Sequence, residues 1–230
     1  MLQLPKVIGH RGAMAYAPEN TLESFREARH RGATWVEIDV KLTADGVPVV
    51  LHDESLKRTT GVDRLAAETP RAELPSLVPT FEAAIACFQE LGLGCNVEIK
   101  PCPGREEETA RGTVATLRRC WPASLPAPLL SSFKEASLTA AKEAAPEFAR
   151  ALLLDELVED WEARAQSVGA IGLNLGNKKL AAAGVAAVKR AGYLLSVWTV
   201  NDPVEANAIV GMGADCIITD VPDKILAALR

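Results

Sequence analysis

No Cys-x-x-Cys pair occurs in this chain, and its five cysteines (Cys87, Cys95, Cys102, Cys120 and Cys216) are odd in number and irregular in spacing. A structural zinc site or a disulfide framework is therefore not expected. No apolar run approaches the roughly 18 residues of a membrane span, and the opening MLQLPKVIGHRG lacks a charged segment followed by an apolar one. The chain reads as a soluble, cytoplasmic protein without stable membrane insertion. A basic block is missing too. The 25 Lys and Arg and 30 Asp and Glu are mixed along the whole sequence for a net charge of −5. Nothing is arranged to neutralise a run of phosphates, which excludes nucleic acid as an expected partner. Gly/Ser linkers and low-complexity segments are absent, so one domain over residues 1–230 is expected.

What the sequence does contain is alternation. Short runs rich in Val, Ile and Leu take turns with longer segments of helical period. The apolar runs fall at 7–10, 35–40, 95–100, 129–133, 150–154, 171–175, 194–200 and 216–220. Eight strands, each followed by a helix, close a barrel, and 230 residues are near the usual size of about 250 for one. The expected fold is an α/β, single-domain (βα)8 TIM barrel. A ninth run, VPVVLHD, follows strand two after Asp45-Gly46, a hairpin signal, and reads as an antiparallel arm. Residues 59–79 have X-Pro breaks and no clear period, so they form a loop or small lid.

Barrel enzymes work at the carboxyl ends of their strands, so polar residues that end apolar runs are the candidates. Strand one breaks into His10-Arg11-Gly12, with Gly9 and Gly12 allowing a tight turn. Glu37 and Asp39 are two apart and share one face of strand two. A hairpin closed by a two- or four-residue turn sets His52 opposite Asp39 or Glu37 on that face; a three-residue turn does not. Glu98 and Lys100 end the next barrel strand. Three hard carboxylates without clustered thiolates suit one divalent cation, Mg²⁺ or Ca²⁺. Arg11 and Lys100 can hold phosphate charge, and His10 and His52 titrate near neutrality and can serve as acid and base. The site is matched to a phosphate ester.

The segments HRGAMAYAPENTLESF (10–25), VEIDVKLTADGVPVVLHD (36–53), NVEIK (96–100), SSF (131–133), VWTVN (197–201) and GADCIITDVPD (213–223) resemble the glycerophosphodiester phosphodiesterases, in the family's order along the chain. The resemblance implies His10 and His52 as the catalytic pair, Glu37, Asp39 and Glu98 as metal ligands, and Arg11, Lys100 and Trp198 as substrate contacts. It also implies hydrolysis of a small-molecule glycerophosphodiester, such as glycerophosphocholine or glycerophosphoethanolamine, to sn-glycerol 3-phosphate and an alcohol through a cyclic phosphate. Two rivals are a lysophospholipase D, which needs an apolar groove or membrane surface, and a non-catalytic phosphodiester-binding module.

Other polar residues have structural readings. Asn20, with Glu23 three residues on, reads as a helix N-cap. Glu19 is either an outer support of the metal or an acid favouring that helix start. His30 belongs to a solvated helix face. Asn201-Asp202-Pro203 and Asp220-Val221-Pro222 read as helix starts. Phe133 is either substrate wall or core. Outer apolar stripes leave a homodimer open.

Overall fold

The computed structural model describes residues 2–229. Its elements run β1 (Val7–Gly9), α1 (Leu22–His30), β2 (Trp35–Leu42), β3 (Pro48–Val50), α2 (Lys57–Thr60), α3 (Phe81–Leu91), β4 (Gly94–Ile99), α4 (Glu106–Cys120) and β5 (Leu129–Ser132), then α5 (Glu135–Ala144), β6 (Ala149–Leu154), α6 (Trp161–Ser167), β7 (Gly172–Gly176), α7 (Ala182–Arg190), β8 (Leu194–Trp198), α8 (Pro203–Met212), β9 (Cys216–Thr219) and α9 (Pro222–Ala228). Eight strands, β1, β2 and β4 to β9, pair in parallel, and β1 pairs with both β9 and β2. The ring is closed as the alternation of the sequence predicts. β3 hangs antiparallel on β2.

Pleat parity sorts the core. Val36, Ile38 and Val40 of β2 pack outward with Phe25 of α1 and Phe81, Ile85 and Phe88 of α3. Ile8, Trp35, Leu129, Ala151, Cys216 and Ile218 cluster with no helix residue, because they fill the barrel interior. Glu37, Asp39 and the buried Lys41 share the inward parity of β2 with Trp35, nearer its carboxyl end. A plug of apolar side chains below and carboxylates above is the arrangement that makes one end of the barrel reactive.

The hairpin differs from the expected register. Val40 pairs with Val50 and Leu42 with Pro48. Three residues, 44 to 46, then turn between Thr43 and Val47, whose backbones bond at 3.1 Å. Gly46 supplies the left-handed residue at φ 77° that such a turn requires. Leu51, not His52, lies across from Asp39 and donates its N–H to the Asp39 carbonyl at 3.0 Å. Continued pairing would put His52 opposite Ile38, on the outward parity. His52 reaches the mouth because the ladder ends at Val50 and the chain bends away, so the parity argument fails although the residue it pointed to arrives.

The 59–79 segment is ordered around short turns of helix at Ala66–Glu68 and Arg71–Glu73. It carries a small core of Val49, Leu51, Leu56, Ala66, Leu74 and Val78. Helix α1 begins one residue later than expected. Thr21 is the N-cap, reciprocally bonded with Ser24, which leaves Asn20 free for another task.

Candidate active site

The turn after β1 builds the first wall. A Cβ on Gly9 would run into the Gly12 carbonyl, and Gly12 itself sits at φ 89° against Ser24. Arg11 and Asn20 hold the left-handed region at φ 49° and 57°, conformations that cost a non-glycine residue about 1 kcal/mol and concentrate at functional sites. Here they aim the Arg11 N–H at Glu37 Oε2, 3.1 Å away, and the Asn20 carboxamide at Asp39 Oδ2, 2.8 Å away.

Glu37, Asp39 and Glu98 each offer a carboxylate oxygen within 4.8 Å of the other two, and all three are buried. Burial, then Asp39 and Glu98, push Glu37 well above the usual carboxylate range. Burial and Asp39 push Glu98 up to about 7. Asp39 goes the other way. Burial would raise it, but Arg11, Lys100 and His52 with the Asn20 amide hold it low. Acids that resist ionising side by side lose that repulsion when a cation lies between them. The all-oxygen set therefore fits a hard divalent ion of the Mg²⁺ or Ca²⁺ kind.

Two cations flank the acids. Lys100 Nζ lies 2.9 Å from Glu98 Oε1 and 3.7 Å from Asp39 Oδ1, and Arg11 Nε lies 3.3 Å from Asp39 Oδ2. Each histidine has a carboxylate behind it. His10 Nδ1 is 2.6 Å from Asp220 Oδ1, and its Nε2 faces Glu37 Oε2 at 3.9 Å. His52 Nδ1 is 2.6 Å from Asp53 Oδ1. An ionised carboxylate only accepts, so in the neutral rings the proton sits on Nδ1 and Nε2 keeps its lone pair. Burial holds His52 below the ordinary imidazole value, against the pull of Asp39 and Asp53.

His10, Arg11, Glu37, His52, Glu98, Lys100 and Trp198 all line one cavity of about 250 Å³, with Asp39 at its edge through its contacts to Arg11 and Lys100. The Trp198 indole donates to the Asn174 carbonyl at 3.2 Å and meets Phe133 edge to face at 5.6 Å, so both aromatics form wall rather than distant core. His30 is exposed and stays outside, as expected. Asp202 caps α8 as expected, accepting from the Glu205 N–H.

Helices α8 and α9 do start at Pro203 and Pro222, but a helix start does not exhaust the roles of Asn201 and Asp220. Asp220 supports His10, and the Asn201 carboxamide donates to Asp220 Oδ2 at 2.6 Å while its oxygen accepts from the Asp220 N–H at 2.9 Å. Asp53, Asn20 and Arg58 join the site through contacts that no local sequence pattern marks. Asp220 carried a usable signal: it ends an apolar strand, the criterion that found His10 and Glu98. Glu19 touches none of the three acids directly; it pairs with Arg11 Nη1 at 2.8 Å.

Fold and site define a barrel-type phosphodiesterase. Residues 10–224 match the model of the glycerophosphoryl diester phosphodiesterase family, and the chain belongs to that family. A glycerophosphodiester phosphodiesterase of Caldanaerobacter subterraneus subsp. tengcongensis is 30% identical over 97% of each chain. An Oleispira antarctica phosphodiesterase, solved in complex with its product sn-glycerol-3-phosphate, superposes with a TM-score of 0.95 at 39% identity over 98% of this chain and 97% of that one. The Thermotoga maritima glycerophosphodiester phosphodiesterase matches with a TM-score of 0.81 at 30% identity over all of both chains. No helix among the described residues is long and apolar enough to cross a membrane.

Proposed function

We propose that this chain hydrolyses glycerophosphodiesters such as glycerophosphocholine and glycerophosphoethanolamine to sn-glycerol 3-phosphate and the free alcohol. The observation that carries the reading is the pairing of two carboxylate-backed histidines with three clustered acids and two cations in one cavity. In this reading Glu37, Asp39 and Glu98 hold one divalent cation. Such an ion, when bound, lowers the pKa of a nearby hydroxyl and stabilises charge growing on phosphoryl oxygens.

The protein's own groups do the rest. Arg11 and Lys100 neutralise and orient the phosphate. Nε2 of His10, its other nitrogen held by Asp220, takes the proton of the glycerol 2-hydroxyl, whose oxygen then attacks phosphorus. His52, as imidazolium, gives its proton to the departing alcohol oxygen, and a cyclic phosphodiester results. In the second half His52 deprotonates water, the water oxygen attacks phosphorus, and His10 returns its proton to the 2-oxygen. Trp198 and Phe133 bound the space for the glycerol and the alcohol. The five free thiols support a cytoplasmic setting.

The test is release of sn-glycerol 3-phosphate from glycerophosphocholine with Mg²⁺, with Ca²⁺ and with chelator, alongside His10→Ala and a lysophosphatidylcholine arm. Turnover that needs both metal and His10 supports the reading. Turnover of the lysolipid alone replaces it with a lysophospholipase D, and metal binding without any turnover replaces it with a binding module.

A further inference from the structure

The last support of His52 comes from α2, just ahead of the 59–79 region. Arg58, on the single turn of α2, is half-exposed yet makes four hydrogen bonds to two carboxylates. Its Nε and NH2 reach Asp53 at 2.5 and 3.0 Å, and its NH1 and NH2 reach Glu19 at 2.6 and 2.7 Å. Exposed ion pairs are ordinarily worth little, but a planar guanidinium forked onto two carboxylates fixes geometry as well as charge. Glu19 is almost fully covered, 8% exposed at its side chain, and its other contact is Arg11 NH1. Asp53 in turn holds His52 Nδ1 at 2.6 Å.

We infer that Arg58 is a positioning residue for His52. This role depends on the reaction proposed above only for the task it gives His52. Asp53 neighbours His52 in sequence, in a bend outside the β2–β3 ladder, so the strand does not dictate which way its carboxylate faces. Arg58 supplies that restraint and anchors it, through Glu19, to the turn after β1 that carries Arg11. The unbroken run His52, Asp53, Arg58, Glu19, Arg11 joins the two loops that deliver the histidines. The turn α2 that leads into the 59–79 region thereby has a role in catalysis, apart from any covering of substrate by the region itself.

The experiment compares wild type with Arg58→Ala, Arg58→Lys and Glu19→Gln on glycerophosphocholine. Arg58→Ala is expected to lower kcat on the order of 100-fold with KM within about threefold, the scale typical of lost outer-shell supports. Low millimolar guanidinium is expected to restore part of that loss in Arg58→Ala and none in His52→Ala. Arg58→Lys restores little, because one ammonium cannot fork onto both acids, and Glu19→Gln loses less than Arg58→Ala. A kcat within twofold of wild type in Arg58→Ala, a loss confined to KM, or no rescue by guanidinium overturns the inference. If wild type itself fails to turn over the substrate, the proposed reaction falls alone. The His52 Nδ1 proton resonance then decides: its loss in Arg58→Ala supports the positioning role, and an unchanged resonance overturns it.

Discussion

Asn20 donates its side-chain amide to Asp39 Oδ2 across 2.8 Å from a backbone held at φ 57°, one residue before helix α1 is capped. Asparagine is among the few residues that tolerate that backbone region and also carry a donor. Asn20→Ala is expected to cost about 1 kcal/mol of backbone strain and to weaken divalent-ion binding about 10- to 100-fold by freeing Asp39 to turn. Calorimetric titration with Mg²⁺ and Ca²⁺ measures this. Unchanged affinity would return Asn20 to a purely structural role.

Asp220 distinguishes orientation from charge. Asp220→Asn keeps the shape but presents an amide to His10 Nδ1 and disturbs the tautomer, and kcat is expected to fall about 100-fold or more with KM little moved. Asp202→Ala, at the neighbouring helix cap, is expected to lose about 1 kcal/mol of stability and keep kcat. Equal kcat values for the two variants would contradict the His10 assignment.

Acid pressure at the metal site gives a pH signature. A carboxyl whose folded value is raised favours the protonated folded state, so stability falls as pH climbs from the unfolded value near 4.5 through about 7 for Glu98, by on the order of 3 kcal/mol. Asp39, Asp53 and Asp220 are shifted down and act in the opposite sense below about pH 4, outside that window; within it His52, held low by burial, opposes the trend below about pH 6.5 and Glu37, raised like Glu98, reinforces it. Metal-free protein is thus expected to melt at a lower temperature at pH 8 than at pH 5, and Glu98→Gln to flatten the difference. Added Ca²⁺ or Mg²⁺ is expected to raise the melting temperature more at pH 8 than at pH 5 and to release protons at pH 6. A cation effect independent of pH would mean that Glu98 is not a ligand.

The opposite end of the barrel separates stability from chemistry. Arg150 is buried without an acidic partner and donates to the carbonyls of Phe148, Val168 and Gly169 at 2.7 to 3.1 Å. Burial lowers its pKa, and its removal strands three carbonyls. Arg150→Ala is expected to lose about 3 kcal/mol by denaturant titration while the surviving folded fraction keeps its kcat. A selective loss of kcat would show that the base of the barrel communicates with its mouth.

Most of the barrel was legible because its strands are short, mainly apolar runs and several of its longer helices, such as α1, α3 and α4, are amphipathic. His10, Glu37, Asp39, Glu98 and Lys100 were legible for a simple reason: they interrupt or end those runs. What escaped was of two kinds. Turn length governs hairpin parity, and Asp45-Gly46 signals a turn without saying how many residues it takes. Asp220 and Asn201 act through contacts made only when distant loops meet, so their local reading as helix starts was self-sufficient, and Arg58 carries no local signal of its contact with Glu19. Asn20 shows the limit at one-residue resolution, where a cap and a metal-site support sit side by side.

The support of His10 lies at the seam where β9 closes onto β1, 210 residues from the histidine it orients. His10 enters the chain early and its partner almost last. Glu37, Asp39 and Glu98 come together on β2 and β4, neighbours in the ring, without help from the far end of the chain. The His10–Asp220 contact exists only where that far end meets β1. In the proposed reaction, alignment of the base therefore depends on ring closure, whereas the meeting of the three acids does not.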